Sequence, residues 1–213
     1  MQQLITGAMV HTHLQNLGIE TPMSDYKAID AKAAIEIAHT DSMIALGLDL
    51  MDDSLADTPR RVAKMYKDEL FYGLDYDQFP DITVFDNKAK YDEMLATSAT
   101  VQSFCEHHFL PFIGTATVAY IPGDKFLGLS KFNRIVDFFS RRPQVQERLT
   151  VQIAETFKYI LSTQDVAVVI KAEHFCVKLR GVKDSCGETV SSALSGKFRT
   201  VPELRNEFMA LTR

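Results

Sequence analysis

An α+β fold, with helices laid over one face of an antiparallel sheet, is what the order of segments in this 213-residue chain predicts. Three observations carry that expectation. The first half reads as helical. Residues 74–95 are mixed and acidic, as suits a connector. From about residue 97 the pattern runs two β-rich stretches, two amphipathic helices and two further β-rich stretches. The chain therefore divides into a helical region with its connector over residues 1–95 and a sheet-bearing domain over residues 96–213.

Each element has its own warrant. Residues 27–46, KAIDAKAAIEIAHTDSMIAL, are Ala-rich and place Ile29, Ala33 and Ile37 at four-residue spacing, the period of one helix face. In DTPRRVAKMYKDELFYGL, Thr58 is the expected N-cap and Pro59 the first helical residue. Val62, Tyr66 and Leu70 then form an apolar stripe, with Gly73 as the stop. TSATVQSFCEHHFLPFIGTATVAYIP holds two β-rich runs separated by Pro111 and Gly114, read as neighbouring antiparallel strands. GLSKFNRIVDFFSRR opens a helix near Ser130. Pro143 begins a second one, in which Val145, Leu149, Ile153, Phe157 and Ile160 trace one face. DVAVVIKAEHFCVKLRG reads as a strand and KFRTVPEL as a last short one.

Bulk properties narrow the function. A net charge of −5 argues against a general nucleic-acid surface, so an anionic ligand needs a local basic pocket. No apolar run approaches the roughly 20 residues that cross a bilayer. The start, MQQLITGAMVHTHLQNLG, lacks the basic and apolar regions of a signal peptide. Three widely spaced cysteines, Cys105, Cys176 and Cys186, are an odd set that argues against a disulfide framework. A cytoplasmic protein with reduced thiols is expected.

The chemistry concentrates in two segments. FCEHHFLPF puts Cys105 and His108 three residues apart inside an apolar run, a spacing that lets both turn toward one metal. On the late strand, alternation places His174, Cys176, Lys178 and Arg180 on one face. Cys105, His108 and Cys176 would then give Zn²⁺ three protein ligands and leave a fourth position open, the catalytic arrangement. Cys186 as a fourth ligand would make a closed structural site instead. A second, basic constellation comes from Ser130 at a helix start with Lys131 and Arg134 one turn apart, joined by Arg180, Arg61 and Lys64. Helix N–H groups with converging cations suit a polyphosphate. Gln146 and Glu147 fall in the first turn after Pro143, where the helix dipole alone accounts for a carboxylate.

Taken together, TPRRVAKMY (58–66), CEHHFLPFIG (105–114), GLSKFNRIVDFFSRRPQVQERL (128–149) and HFCVKLRG (174–181) closely resemble GTP cyclohydrolase I. The resemblance runs from about residue 25 to the end. It implies the tunnelling fold, in which four-stranded antiparallel units with a helix pair assemble into a barrel. It further implies a decamer of two pentamers with sites at subunit interfaces. The reaction implied is GTP and water giving 7,8-dihydroneopterin triphosphate and formate, at the head of pterin and folate synthesis. By position, Cys105, His108 and Cys176 match the zinc ligands, His107 the catalytic histidine and His174 a histidine of the later ribose steps. Glu147 matches the carboxylate that reads guanine, with Gln146 beside it. Ser130, Lys131, Arg134 and Arg180 match the triphosphate set, which Arg61 and Lys64 also reach. The sequence departs from the family's Ser/Thr-rich run at VKDSCGETVSSAL, where Cys186 has no expected role. Two other readings remain: a tunnelling-fold relative that reduces a nitrile or modifies pterins, and a zinc-stapled GTP-binding module without catalysis.

Overall fold

The computed structural model describes residues 4–24 and 29–212. Its N-terminal part starts with the short strand β1 (Leu4–Ile5) and helix α1 (Gly7–Asn16), which buries Val10 and Leu14. Helix α2 (Ala31–Ala45) is capped by the Asp30 carboxylate, which accepts from the Ala33 N–H at 3.0 Å. The expected start of this helix at residue 27 lies outside the described residues. Helix α3 (Thr58–Lys64) opens one residue earlier than the sequence suggests: Asp57 is the N-cap and Thr58 the first helical residue. It continues as a π-helical turn over Met65–Leu70, closed by a Phe71 N–H bond to the Tyr66 carbonyl at 2.9 Å. Val62, Tyr66 and Leu70 are half-buried there. Gly73 does not stop the helix, which has already ended. A Cβ at Gly73 would sit 2.1 Å from the Phe138 carbonyl oxygen, so close approach selects glycine here.

After strand β2 (Ile82–Asp86), strands β3 (Leu95–Cys105) and β4 (Pro111–Tyr120) form a long antiparallel hairpin. Strand β5 (Lys125–Leu127) pairs with β2, making the small sheet β1-β2-β5. Helix α4 (Leu129–Ser140), strand β6 (Pro143–Gln144) and helix α5 (Gln146–Leu161) follow, then strand β7 (Val166–His174), helical turn α6 (Phe175–Lys178) and strand β8 (Thr189–Leu194). The main sheet runs β6-β3-β4-β7-β8. Three of the expected antiparallel strands are β3, β4 and β7; the fourth antiparallel strand, β8, lies ahead of the segment expected to form it, and the two-residue β6 adds a fifth, parallel to β3.

One sheet face is covered by α4 and α5, as the sequence predicts. Leu149, Ile153, Phe157 and Ile160 of α5 are at most 1% exposed and pack with Val118, Tyr120, Val168 and Ile170. The segment KFRTVPEL is not a strand. It forms helix α7 (Lys197–Thr200) and opens helix α8 (Pro202–Ala210), with Pro202 in the first turn. Phe198 and Phe208 of these helices cover Ala119, Ala167 and Val169 on the opposite face of the sheet. Small residues at the sheet surface leave room for that second layer.

Candidate active site

Cys105 ends β3, and His108 sits in the turn leading to β4. The Phe109 and His108 N–H groups donate to the Cys105 carbonyl at 2.8 and 3.3 Å, and the Cys105 N–H donates to the Leu110 carbonyl at 2.8 Å. Phe109 takes a left-handed φ of 54°, which reverses the chain. Its ring packs edge-on against Phe71, tying the turn to the end of the π-helical segment. Glu106 pairs with Arg148 of α5, a link the sequence reading did not find because forty-two residues separate the partners.

Across the sheet, His174 closes β7 opposite Phe112, and its ring stacks on Phe112 at 4.7 Å. The strand expected to run on to Arg180 stops here. Beyond Phe112, β4 offers Pro111, which has no N–H, and the Leu110 carbonyl is already held by Cys105. With no edge left to pair with, the chain turns into α6. Cys176 therefore reaches the site from a helical turn, and the expected common face of His174, Cys176, Lys178 and Arg180 does not form. Lys178 pairs with Glu173 at 2.9 Å instead.

The sulfur atoms of Cys105 and Cys176 and a ring nitrogen of His108 all lie within 4.8 Å of one another. Donors held on one tetrahedral ion, with bonds of about 2.0–2.3 Å, lie this close, so the three residues fit a metal ion. Two thiols and an imidazole are a donor set that zinc accepts. Burial, with the Cys105 thiol beside it, pushes the Cys176 thiol above its ordinary range, and a cation would reverse that by favouring thiolate. Cys186 is exposed in the loop before β8 and does not belong to the group.

Other expected residues gather around this centre. His107 is exposed, with Nδ1 3.6 Å from the Cys105 sulfur. Arg180 Nη1 donates to His108 Nε2 at 2.6 Å, which makes that nitrogen the lone-pair side of the ring. Gln146, 1% exposed, is 2.7 Å from His174 Nε2 through Oε1. Its Nε2 faces the Ile170 and Thr189 carbonyls at 3.1 Å and the Ser191 hydroxyl at 3.0 Å. Burial lowers the His174 pKa, and the Glu147 charge partly opposes this. Glu147 itself is exposed.

The basic set is only partly assembled within one chain. Lys131 donates to the Asp81 carbonyl at 2.5 Å, while Ser130 and Arg134 are exposed on α4. Arg61 pairs with Asp57 at 3.5 Å, and Lys64 is exposed in the last turn of α3. Among the described residues, no hydrogen bond or ion pair joins Ser130, Lys131, Arg134, Arg61 or Lys64 to the Cys–His–Cys group.

A Cys–His–Cys group running from the buried Cys105 to the exposed His108 is one that could hold a metal ion, and comparison with known proteins gives the chain a family. The model of the family "GTP cyclohydrolase I" matches residues 35–213. A protein named GTP cyclohydrolase 1 from a Shewanella species is 52% identical over 203 residues, covering 94% of each chain. Proteins of the same name from Tolumonas auensis and Yersinia pseudotuberculosis are each 51% identical, over 95% and 96% of this chain and 95% and 94% of their own. The chain belongs to the GTP cyclohydrolase I family, a family of enzymes. The Yersinia alignment leaves too little of the chain uncovered to begin at residue 25, so the likeness reaches further toward the N-terminus than the four motifs do.

Proposed function

We infer that this chain converts GTP and water to 7,8-dihydroneopterin triphosphate and formate. The single observation that carries the reading is the three-ligand group at Cys105, His108 and Cys176, with His107 and His174 beside it, in a chain of this family. Three protein donors leave one position for water or substrate, the open arrangement of catalytic zinc. Zinc held there supplies Lewis acidity for the addition of water at purine C8 and for the second hydration that releases formate.

The chain's own residues do the rest. His107, one residue from the ligand His108, delivers a proton to the imidazole nitrogen as that ring opens, the general-acid role that histidine takes most often. His174 assists opening of the ribose and the rearrangement that follows. Glu147 accepts the N1 and N2 hydrogens of guanine, as carboxylates accept paired N–H donors. Ser130, Lys131, Arg134 and Arg180 hold the triphosphate, with Arg61 and Lys64 adding positive charge. Because Lys131 and its neighbours do not meet the metal group within one chain, the reading includes an oligomer, two pentamers face to face, whose sites lie between subunits. It also places the enzyme in the cytoplasm; no helix of the described residues is long and apolar enough to cross a membrane.

Metal analysis and turnover test this together. Purified protein should carry one zinc per chain, and a chelator should abolish both formate release and the pterin chromophore until zinc is restored. Cys105→Ala and Cys176→Ala should lose the metal, whereas His107→Ala should keep it and still bind GTP without completing the reaction. Normal turnover by the metal-free protein or by His107→Ala would falsify the assignment.

A further inference from the structure

Arg142 carries a charge that no ion pair among the described residues meets. It lies two residues past the end of α4 and is fully buried, its guanidinium 4.7–5.1 Å from the ring centres of Tyr76, Phe138 and Phe139. Nη1 donates to the Thr21 and Tyr76 hydroxyls at 3.4 and 3.3 Å. Nε and Nη2 have no hydrogen-bond partner, and Arg142 forms no ion pair among the described residues. These two groups make up one edge of the guanidinium, the parallel pair of N–H bonds that meets a carboxylate side-on. A buried cation left without a counter-charge is costly, which sets this residue apart from an ordinary core side chain.

The same residue lines a cavity of about 280 Å³ together with His11, Glu20, Thr21, Met23 and Tyr76. Glu20 Oε2 is also buried and unpartnered. The cavity thus presents a two-pronged donor from one wall and a lone acceptor from another, and the two groups are not paired with each other. Its volume is about that of nine waters at roughly 30 Å³ each, enough for a small organic acid. The stacked rings of His11 and Tyr76, 4.2 Å apart, give it a flat wall. Thr21 and Met23 also line the adjoining cavity that His107 borders.

We propose that this cavity binds a compact carboxylate that also carries an N–H or O–H donor, of the size and chemistry of an α-hydroxy or α-amino acid. Its carboxylate pairs with the Nε/Nη2 edge of Arg142, and its donor meets Glu20. The site is separate from the Cys–His–Cys centre and does not depend on the reaction assigned to that centre.

Calorimetric titration of the protein with glycolate and with glycine, in buffer free of other carboxylates, tests the proposal. One saturable site per chain is expected. Acetate, which lacks the donor, should bind roughly tenfold more weakly, the size of one lost hydrogen bond to a charged group. Arg142→Met should lose binding. If that variant does not fold, Glu20→Ala decides, because it should erase the preference for glycolate over acetate. No saturable binding of either ligand, unchanged binding in Arg142→Met, a preference that survives Glu20→Ala, or tighter binding of inorganic phosphate overturns the assignment.

Discussion

Gln146 shows how much one side chain can settle. Its amide nitrogen faces three acceptors, on Ile170, Thr189 and Ser191, so its oxygen is the atom turned to His174. An amide oxygen only accepts, so His174 Nε2 carries the hydrogen and a neutral ring presents its lone pair at Nδ1. The sequence reading grouped Gln146 with Glu147 as substrate-binding; both polar atoms of the Gln146 side chain have partners within the chain, whereas Glu147 is exposed. Gln146→Leu should therefore lower kcat by roughly 2–10-fold, the worth of about 0.5–1.5 kcal/mol for a hydrogen bond between neutral groups, with the KM for GTP nearly unchanged. A raised KM with kcat preserved would show instead that Gln146 contacts the substrate. Histidine ¹⁵N chemical shifts should report the Nε2–H tautomer at His174 in the wild type and its loss in the variant.

At the scale of elements, the site depends on where β4 and β7 stop. Their pairing is close enough at Gly114 that an added Cβ would lie 1.9 Å from the Lys171 carbonyl oxygen. Flexible side chains cannot relieve a clash with backbone. Gly114→Val should destabilise the protein by about 2–3 kcal/mol, at the upper end of overpacking effects, and appear as a lower urea midpoint. The same pair of strands carries Phe112 and His174 to the site edge, so zinc affinity should fall in this variant as well. If stability fell and zinc affinity held, the metal group would be shown to rest on the β3–β4 turn and α6 alone.

At the scale of the whole molecule, the single chain leaves an apolar helix face uncovered. Helix α2 buries none of its residues, and Ile37 and Ile44, seven positions apart on one face, are 63% and 59% exposed. An apolar helix face of this kind suits contact with further copies, in keeping with the proposed oligomer. Sedimentation should give a mass that is a multiple of 24.0 kDa, ten chains if two pentamers form. Introducing Ile37→Glu with Ile44→Glu should lower that mass. Turnover should fall with it while zinc stays bound, because the metal group is built within one chain and the α4 cations are not joined to it there. An unchanged mass in the double variant would remove α2 from the interface.

Local rules read from the sequence located α4, α5 and the β3–β4 hairpin, since each follows from periodicity and turn residues within a short window. The grouping of Cys105, His108 and Cys176 was legible too, because thiols and imidazoles are rare in an apolar run and the motifs around them are long. What the sequence missed depends on who is left to pair with whom. Strand β7 ends at His174 because β4 has run out of free edge, which no property of HFCVKLRG reveals. KFRTVPEL is helical because small residues on the far sheet face leave a surface for Phe198 and Phe208 to cover. Gln146 belongs to His174 through a sheet contact twenty-eight residues away. By itself the sequence determined which groups are candidates for the chemistry, since composition and spacing are written along the chain. Only the tertiary structure decided their orientation, because hydrogen-bond partners are set by distance in space.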